Sequence, residues 1–327
     1  MQKLVTIFGG SGFVGRYIAR RMAKGGWRVR VAVRRPNEAG FVRMYGSVGQ
    51  VEPVLANIRD DASVRAALSG ADAVVNCVGI LAESGKNRFG AVQAEGPARV
   101  ARIAAELGVG RMVQISAIGA DDHSDSEYAR TKASGEAAVL QHMPQAVVLR
   151  PSIVFGAEDQ FFNRFAGMAR LAPVLPVVGP DTRFQPVFVD DVAAAAELAA
   201  EGRASPGIYE LGGPEVATFR SLMQTMLKVI HRRALIVPVP FPVARAMGFG
   251  LDVAQTLSLG LLSNSTLTLD QVRNLARDNV VSGSHPGFEA LGIEPASMGS
   301  VLPEYLWRFR PSGQYAGIKE SARNLKP

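Results

Sequence analysis

The first 33 residues alternate short apolar runs with one amphipathic segment. KLVTIFGG at residues 3–10 is a β-branched apolar run ending in glycine, which is typical of a buried strand. GRYIARRMAKGG at residues 15–26 places Ile18 and Met22 four positions apart among cations, which predicts a helix that ends at its glycines. WRVRVAV at residues 27–33 is a second strand. The pattern predicts strand, loop, helix and strand.

The same alternation continues along the chain. QVEPVLANIRD at residues 50–60, ADAVVNCVGIL at 71–81 and GRMVQISA at 110–117 predict further strands. Helical segments such as PARVARIAAELGV at residues 97–109 separate them. Strands that alternate with helices predict an α/β fold of the Rossmann type, with a doubly wound parallel sheet. A ligand of such a sheet binds at the carboxyl ends of its strands.

The first strand and the first helix are joined by a glycine-rich loop. Its spacing matches G-x-x-G-x-x-G from Gly9 and G-x-G-x-x-G from Gly10. Glycines permit a tight turn and let backbone N–H groups approach a pyrophosphate, which the helix N-terminus also attracts. We therefore predict a dinucleotide site, although a tight turn without a ligand has the same spacing. The candidate residues are Gly9, Ser11, Gly12, Phe13, Val14 and Gly15.

The strand ends indicate which dinucleotide binds. An NAD site usually has an acid after the second strand, whereas this chain has Arg34 and Arg35 there. Guanidinium groups suit a 2′-phosphate, so we predict NADPH in preference to NAD. A solvated basic turn is the alternative. Later strand ends add candidates near the adenine, the ribose and the fifth strand, which are Asn57, Ile58, Val78, Gly79 and Ser116.

A tyrosine and a lysine follow the fifth strand in YARTK, at positions 128 and 132. Residues four apart share one helix face, so Tyr128 and Lys132 can point into one cleft. A nearby ammonium is expected to lower the pKa of the tyrosine, which would then serve as a general acid or base. Lys132 alone can instead bind the nicotinamide ribose. Because Ser116 lies one or two positions early for the third catalytic residue, the pair is a catalytic candidate, with a vestigial pair as the alternative.

Charge and composition narrow the partners. The net charge is +7, and residues 1–35 hold nine cations and no acid. Two basic ends, the second being the tail at residues 308–327, favour anionic partners such as a nucleotide, phospholipid headgroups or an acidic protein face. No nucleic-acid motif accompanies the cations, so we expect no nucleic-acid partner. A single cysteine and scattered histidines predict no disulfide and no metal site.

One apolar stretch leaves two alternatives open. Residues 240–264 carry few charges, and Arg245, Asp252, Thr256 and Ser263 form a narrow polar stripe at helical spacing. Such a helix is either part of the core or a surface helix that rests on lipid or on a membrane subunit. No run reaches the length of about 18 apolar residues that a spanning helix requires.

Several motifs together resemble a known superfamily. The glycine loop, the Val78-Gly79 strand end, YARTK and LRPSIVFG at residues 149–156 are similar to extended and atypical short-chain dehydrogenases/reductases of the NAD-dependent epimerase/dehydratase type. RPSIVFGAEDQFFNRFA, RFQPVFVDDVA, YELGGPEVATFRSLM, LTLDQVRNLARDNVVS and PEYLWRFRPSGQYA resemble one atypical branch over nearly the whole chain. That branch is the dehydrogenase-like accessory subunit of respiratory complex I (NADH:ubiquinone oxidoreductase), in its α-proteobacterial form.

The resemblance implies an organisation in two lobes. Residues 1–155 and 183–212 would form the Rossmann domain, and residues 156–182 and 213–327 a smaller interleaved C-terminal domain. The family's subunit holds NADPH outside the electron-transfer chain and stabilises the junction of the peripheral and membrane arms, near the quinone site. Other complex I subunits would be the partners, on the cytoplasmic face of a bacterial inner membrane, as a peripheral protein.

Residue roles also follow from the resemblance. Gly9, Gly12 and Gly15 would hold the pyrophosphate, and Lys132 the ribose. The backbone of Pro151, Ser152, Ile153 and Val154 would flank the nicotinamide. Catalytic members of the superfamily carry a third catalytic residue, a serine, for which Ser116 lies too early in this chain. Its absence agrees with a cofactor that is kept for structure and with no independent turnover. Two alternatives remain: a free-standing NADP-dependent reductase or sugar-nucleotide epimerase/dehydratase, and a sensor of the NADPH/NADP⁺ ratio.

Overall fold

The computed structural model describes residues 2–257, 268–311 and 313–315. In this part of the chain the strands are β1 (Leu4–Phe8), β2 (Arg28–Val33), β3 (Val51–Leu55), β4 (Ala73–Asn76), β5 (Arg111–Ile115), β6 (Val147–Pro151), β7 (Val154–Phe155), β8 (Val174–Val178), β9 (Arg183–Phe184), β10 (Val187–Phe188), β11 (Gly207–Leu211), β12 (Ala217–Thr218) and β13 (Leu235–Val239).

The helices are α1 (Phe13–Lys24), α2 (Asp61–Leu68), α3 (Glu95–Glu106), α4 (Glu127–His142), α5 (Phe162–Leu171), α6 (Val189–Glu201), α7 (Phe219–Val229), α8 (Phe241–Leu257), α9 (Leu269–Asn274) and α10 (Met298–Leu306). Short 3-10 segments cover Pro36–Tyr45, Phe288–Leu291, Trp307–Phe309 and Gly313–Tyr315. A π-helical turn at Gly90–Ala94 leads directly into α3.

Seven strands form one parallel sheet in the order β11-β6-β5-β4-β1-β2-β3. The predicted α/β doubly wound sheet is therefore confirmed. The strand order reverses between β1 and β4, which is where ligands of such sheets bind, beyond the carboxyl ends of the strands. The seventh strand, β11, joins the edge at β6 after the chain has left the sheet and returned.

Helices cover both faces of the sheet, and the pleat divides its side chains between them. Val75 points to the side of α1 and α6, where Ile18 and Ala196 are buried. Its neighbour Val74 points to the side of α2, α3 and α4, where Ile103 is buried. This two-sided burial explains why the strands appear in the sequence as nearly continuous apolar runs.

A separate hydrophobic cluster lies among α5, α7 and α10. Phe162, Met223 and Leu302 are fully buried there, and aromatic rings such as Phe161 and Phe219 stack within it. These residues belong to the predicted smaller lobe. Phe288 is different, since it packs into the cluster between the sheet and α1 and α6. The exact domain bounds remain a prediction.

The apolar helix is only partly described. α8 begins at Phe241 and is followed to Leu257, so the predicted residues 258–264 lie outside the described part. Most of the predicted basic tail, residues 316–327, also lies outside it. Val243 and Met247 are 50% and 52% exposed, so the core alternative is wrong for these two side chains. No helix in the described ranges is long and apolar enough to cross a membrane.

Helix α4 approaches the π-helical turn very closely. A Cβ at Gly135 would overlap the carbonyl oxygen of Gln93, which is backbone and cannot swing away. We expect Gly135→Ala to destabilise the protein by about 1–3 kcal/mol, because overpacking forces the backbone to shift. Thermal unfolding measures this, with Ser134→Ala, an exposed neighbour on the same helix, as the control. Equal melting temperatures for the two variants would contradict the proposed close packing.

Candidate functional site

The glycine loop leaves backbone room at the start of α1. Gly9 has φ +72°, a left-handed conformation that favours glycine. A Cβ at Gly15 would lie 2.7 Å from the Cα of Gly10, so the helix begins directly against the turn. The helix has no side-chain cap at Gly12 and no acid in its first turn. Its first N–H groups are therefore available to an anion.

The ends of β1 and β4 lie side by side beyond the loop. A Cβ at Gly9 would lie 3.3 Å from the backbone nitrogen of Val78, so glycine permits this approach. The amide of Val78 donates to Oδ1 of Asn76 at 3.2 Å, which fixes the direction of the strand end. The predicted Val78 and Gly79 are thus brought to the switch point of the sheet, next to the glycine loop.

The predicted adenine-side residues lie past the end of β3. Oδ1 of Asn57 accepts from the amide of Arg59 at 3.2 Å, which shapes a tight turn. Ile58 is buried, and its side chain packs 3.2 Å from the position of a Cβ at Gly96 in α3. The turn is therefore anchored against a helix and keeps its outer side open.

Arg34 and Arg35 follow β2 and are both exposed. Arg34 donates to Oδ1 of Asn87 at 2.9 Å, and Arg35 pairs with exposed Glu38 at 3.1 Å. An exposed pair of this kind is worth little, so a phosphate can displace it. Arg59 follows β3, at the same carboxyl end of the sheet, and donates to the carbonyl of Lys86. It adds a third guanidinium to the predicted pair of Arg34 and Arg35.

Lys132 is the only lysine buried among the described residues. Its ammonium donates to the carbonyl of Ile115 at 3.4 Å, and burial lowers its pKa to about 8. A Cβ at Gly79 would lie 3.3 Å from this ammonium and 3.8 Å from Oε1 of Gln93. Lysine, amide and glycine therefore converge at the carboxyl ends of β4 and β5.

Polar atoms around Lys132 lack protein partners. Oγ of Ser116 and both side-chain polar atoms of Gln93 are buried without a hydrogen bond among the described residues. Leaving such atoms unpaired costs about 1–3 kcal/mol each. Ser116 directly follows Ile115, whose carbonyl contacts Lys132. Unpaired donors and acceptors beside an ammonium fit the ribose and carboxamide groups of a nicotinamide nucleotide, so the residues present fit the cofactor.

Tyr128 differs from the expectation. Its pKa is raised to about 12 by burial and by the carboxylate of Asp270, whereas the sequence analysis expected a lowered value. The Lys132 ammonium lies 5.8 Å from the centre of the tyrosine ring and does not offset these effects. Phe89 packs edge-on against the ring. A raised pKa disfavours the ionised form of the tyrosine, which is the form that a general base requires.

Acidic groups compensate the buried cations. Glu136 is one turn from Lys132 and forms a two-pronged pair with Arg150, with its shortest contact at 2.6 Å. Its charge favours protonated Lys132, against the effect of burial. Glu210 of β11 acts on Arg150 from the neighbouring strand. Behind the site, positive and negative charges therefore alternate in the order Lys132, Glu136, Arg150 and Glu210.

The segment after β6 is fastened by a distant residue. Ser152 donates from Oγ to Oδ1 of Asn279 at 2.7 Å, and the amide of Ile153 donates to the same oxygen at 3.0 Å. The Ser152 hydroxyl is therefore engaged within the protein. Backbone between Pro151 and Val154 remains as the part that can flank a nicotinamide.

Sequence reasoning missed Gln93, Glu136, Asp270 and Asn279. Gln93 is a polar residue amid apolar neighbours, and such a position on an inward helix face is a detectable signal. Glu136 lies four residues after Lys132, a spacing that places both on one face. Asp270 and Asn279 lie in a stretch that carried the family resemblance, but nothing local indicated that they contact the site.

Burial of Lys132 makes stability depend on pH. Its folded pKa, about 8, is below the unfolded value of about 10.4, so the unfolded chain binds more protons between these values. The cost of burying the charge is complete below pH 8 and disappears as pH rises towards 10.4. We expect the nucleotide-free protein to gain stability relative to Lys132→Met across this window. Denaturant unfolding measures it, with exposed Lys24→Met as the control; parallel curves for wild type and Lys132→Met would contradict it.

Comparisons with known proteins agree with this geometry. The NAD dependent epimerase/dehydratase family matches residues 5–212. A protein of Arabidopsis thaliana, NADH dehydrogenase (ubiquinone) 1 alpha subcomplex subunit 9, mitochondrial, is 34% identical over 98% of this chain and 81% of its own length. A ceramide reductase of Caulobacter vibrioides is 29% identical over 91% of each chain.

Solved structures support the fold. The Thermus thermophilus UDP-glucose 4-epimerase, in complex with NAD, superimposes with a TM-score of 0.66 at 19% identity, over 94% of this chain and 99% of that one. At this identity the likeness concerns the fold alone, which is an NAD(P)-binding one. The chain belongs to the NAD dependent epimerase/dehydratase family, and subunit 9 of the complex I alpha subcomplex is among its near full-length relatives.

Proposed function

We propose that this chain is an accessory subunit of respiratory complex I that holds one NADPH as a structural group. The observation that carries the proposal is the contrast within the site. The Lys132 pocket offers unpaired polar atoms to a nucleotide, whereas burial and the carboxylate of Asp270 raise the pKa of Tyr128. The full-length similarity to the Arabidopsis complex I subunit supports the assembly.

Each element of the site has a role in this proposal. The loop from Gly9 to Gly15, with Ser11, Phe13 and Val14, binds the pyrophosphate, and Asn57 and Ile58 border the adenine. Val78, Gly79, Ser116 and Lys132 surround the nicotinamide ribose. NADPH is a hydride donor when bound, but in this role it fills and stabilises the crevice. A ligand that binds only the folded state stabilises that state by an amount that grows with the logarithm of the ratio of ligand concentration to Kd.

Free-standing reductase activity is the second candidate. The Caulobacter ceramide reductase and the presence of both Tyr128 and Lys132 favour it. The raised pKa of Tyr128 weighs against proton abstraction, although a protonated tyrosine can still donate. The two functions differ in what co-purifies with the protein and in whether the protein turns over a substrate.

The decisive experiment isolates the endogenous tagged chain from detergent-solubilised membranes. We expect complex I subunits in the mass spectrum and about one NADPH per chain after denaturation. Tyr128→Phe should leave both unchanged, because the hydroxyl is not needed for binding. A free oligomer that reduces a carbonyl substrate, with turnover abolished in Tyr128→Phe, would establish the reductase instead.

Cofactor type depends on the exposed arginines after β2. Arg34 and Arg35 are proposed to bind the 2′-phosphate, which NADH lacks. Replacing both by alanine should weaken NADPH binding about tenfold or more, because charge-assisted bonds are lost, and should leave NADH binding nearly unchanged. Fluorescence titration with each nucleotide measures the effect. Arg43→Ala, an exposed arginine outside the site, is the control, and equal losses for both nucleotides would refute the assignment.

We also propose that the protein lies peripherally on the cytoplasmic face of a bacterial inner membrane. Its place there would be the junction of the peripheral and membrane arms of complex I. Val243, Met247 and Phe249 of α8 are half-exposed or more, while Gly248 packs on the backbone of Leu269 at the start of α9. Residues 231–250 contain three arginines and no acid. An apolar surface fringed by arginines suits the membrane subunits or anionic lipid headgroups at that junction.

This surface is tested by charge. We expect Met247→Glu to lower the fraction of the chain recovered with membranes several-fold, because a carboxylate is costly to bury at an apolar interface. The control is Val48→Glu, which alters a fully exposed apolar residue outside α8. Western blots of membrane and supernatant fractions provide the measurement. Unchanged partition of the Met247 variant would mean that α8 does not face the partner.

A further inference from the structure

A segment of the smaller lobe crosses the nicotinamide end of the site. We call residues Thr268–Asn279 the strap. It begins at α9, whose first turn is closed by reciprocal hydrogen bonds between Thr268 and Gln271. Asp270 follows Thr268 by two residues and points away from this box, towards α4. The strap is therefore locally ordered where it meets the nucleotide-binding half.

Asp270 caps the helix that carries Tyr128 and Lys132. Its carboxylate accepts from the amide of Glu127 at 2.9 Å and from the amide of Tyr128 at 3.3 Å. It also accepts from Oγ of Ser126 at 2.8 Å, and Ser126 itself caps the first turn of α4. A carboxylate at a helix N-terminus is stabilised by the free N–H groups and the helix dipole. Asp270 thus fixes the direction in which α4 enters the site.

Asn279 holds the opposite wall at the other end of the strap. Its side-chain Oδ1 accepts from Oγ of Ser152 and from the backbone amide of Ile153. Its backbone amide donates to the carbonyl of Arg183 at 2.8 Å. One side-chain oxygen therefore fixes the peptide between Ser152 and Ile153. That peptide belongs to the backbone proposed to flank the nicotinamide.

The middle of the strap is fastened as well. Gln271 donates to the carbonyl of Leu81, past the end of β4, at 3.3 Å. Arg273 and Arg277 donate to the carbonyl of Asp125 and to Oγ of Ser124, both in the loop before α4. The strap is hydrogen-bonded to the segments that follow β4, β5 and β6. In this fold those segments border the crevice where the nicotinamide half of a dinucleotide lies.

We propose that the strap positions and retains the nicotinamide half of the cofactor, with Asp270 and Asn279 as positioning residues. The inference rests on the proposed NADPH site and explains how that site keeps its ligand. Because the strap is hydrogen-bonded both to α4 and to the segment after β6, these two walls of the site cannot separate unless hydrogen bonds of the strap break. The adenosine half, proposed to lie between the glycine loop and the exposed Arg34 and Arg35, is outside the strap, so a ligand that has only this half is not retained by it.

The two halves are separated experimentally with two probes. NADPH contains the nicotinamide, whereas 2′,5′-ADP carries the adenosine and the 2′-phosphate without it. The release rate of NADPH is measured by stopped-flow fluorescence during a chase with excess NADP⁺, and 2′,5′-ADP affinity by calorimetry, on the full chain. The variants are Asp270→Ala and Asn279→Ala, with Asp270→Asn as the milder change. Glu289→Ala is the matched control, because this exposed carboxylate also accepts from a backbone amide, that of Gly287 at 2.7 Å, but lies outside the strap.

We expect Asp270→Ala and Asn279→Ala to release NADPH about tenfold faster or more, since each loses hydrogen bonds worth that order of effect. Their affinity for 2′,5′-ADP should stay within twofold of wild type, and Glu289→Ala should match wild type for both probes. Release rates equal to wild type would overturn the inference. Parallel losses for both ligands would also overturn it, because they would reveal a general loss of structure. Wild-type protein that binds 2′,5′-ADP and NADPH equally weakly would instead refute the proposed NADPH site.

Discussion

The site is organised around one buried positive charge. An ammonium removed from water is costly unless partners compensate for the lost hydration, and the lowered pKa of Lys132 shows that compensation is incomplete. Glu136 offsets part of the cost and is itself neutralised by Arg150, which connects the charge to β6 and, through Glu210, to β11. The packing of α4 thus places one carboxylate, Glu136, next to this lysine, and the sheet edge supplies the charges that pair with that carboxylate.

Helix α4 is accordingly held from three directions. Gly135 lets it touch the π-helical turn before α3, Glu136 ties it to β6, and Asp270 fixes its first turn from the smaller lobe. A helix fixed in this way presents Lys132 in one geometry, as binding requires. The same constraints leave Tyr128 buried beside the carboxylate of Asp270, and both effects raise its pKa. Preorganisation for a ligand and activation for proton transfer are therefore separate properties here.

The fold and the nucleotide loop were predictable because they depend on local patterns. Apolar runs separated by amphipathic segments determine a parallel sheet, and the glycine spacing of Gly9, Gly12 and Gly15 follows from the steric demands of one turn. The pKa of Tyr128 was not predictable, since it depends on Asp270, 142 residues away along the chain. Asn279 escaped for the same reason, whereas Gln93 is visible in the sequence as a polar residue amid apolar neighbours. The exposure of Val243 and Met247 decided between alternatives that a periodic pattern cannot separate, because an apolar helix face looks the same whether a core or a partner covers it.

The position of β11 along the chain has a consequence for protein synthesis. Residues 207–211 complete the sheet only after the first six of its strands and part of the smaller lobe have left the ribosome. Until then β6 presents an unpaired edge, and Arg150 lacks the counter-charge of Glu210. A fragment that stops before residue 207 would retain the entire glycine loop and still expose the unpaired edge of β6, which is prone to aggregation. The sheet is thus completed by residues 207–211, after the chain has passed through part of the smaller lobe.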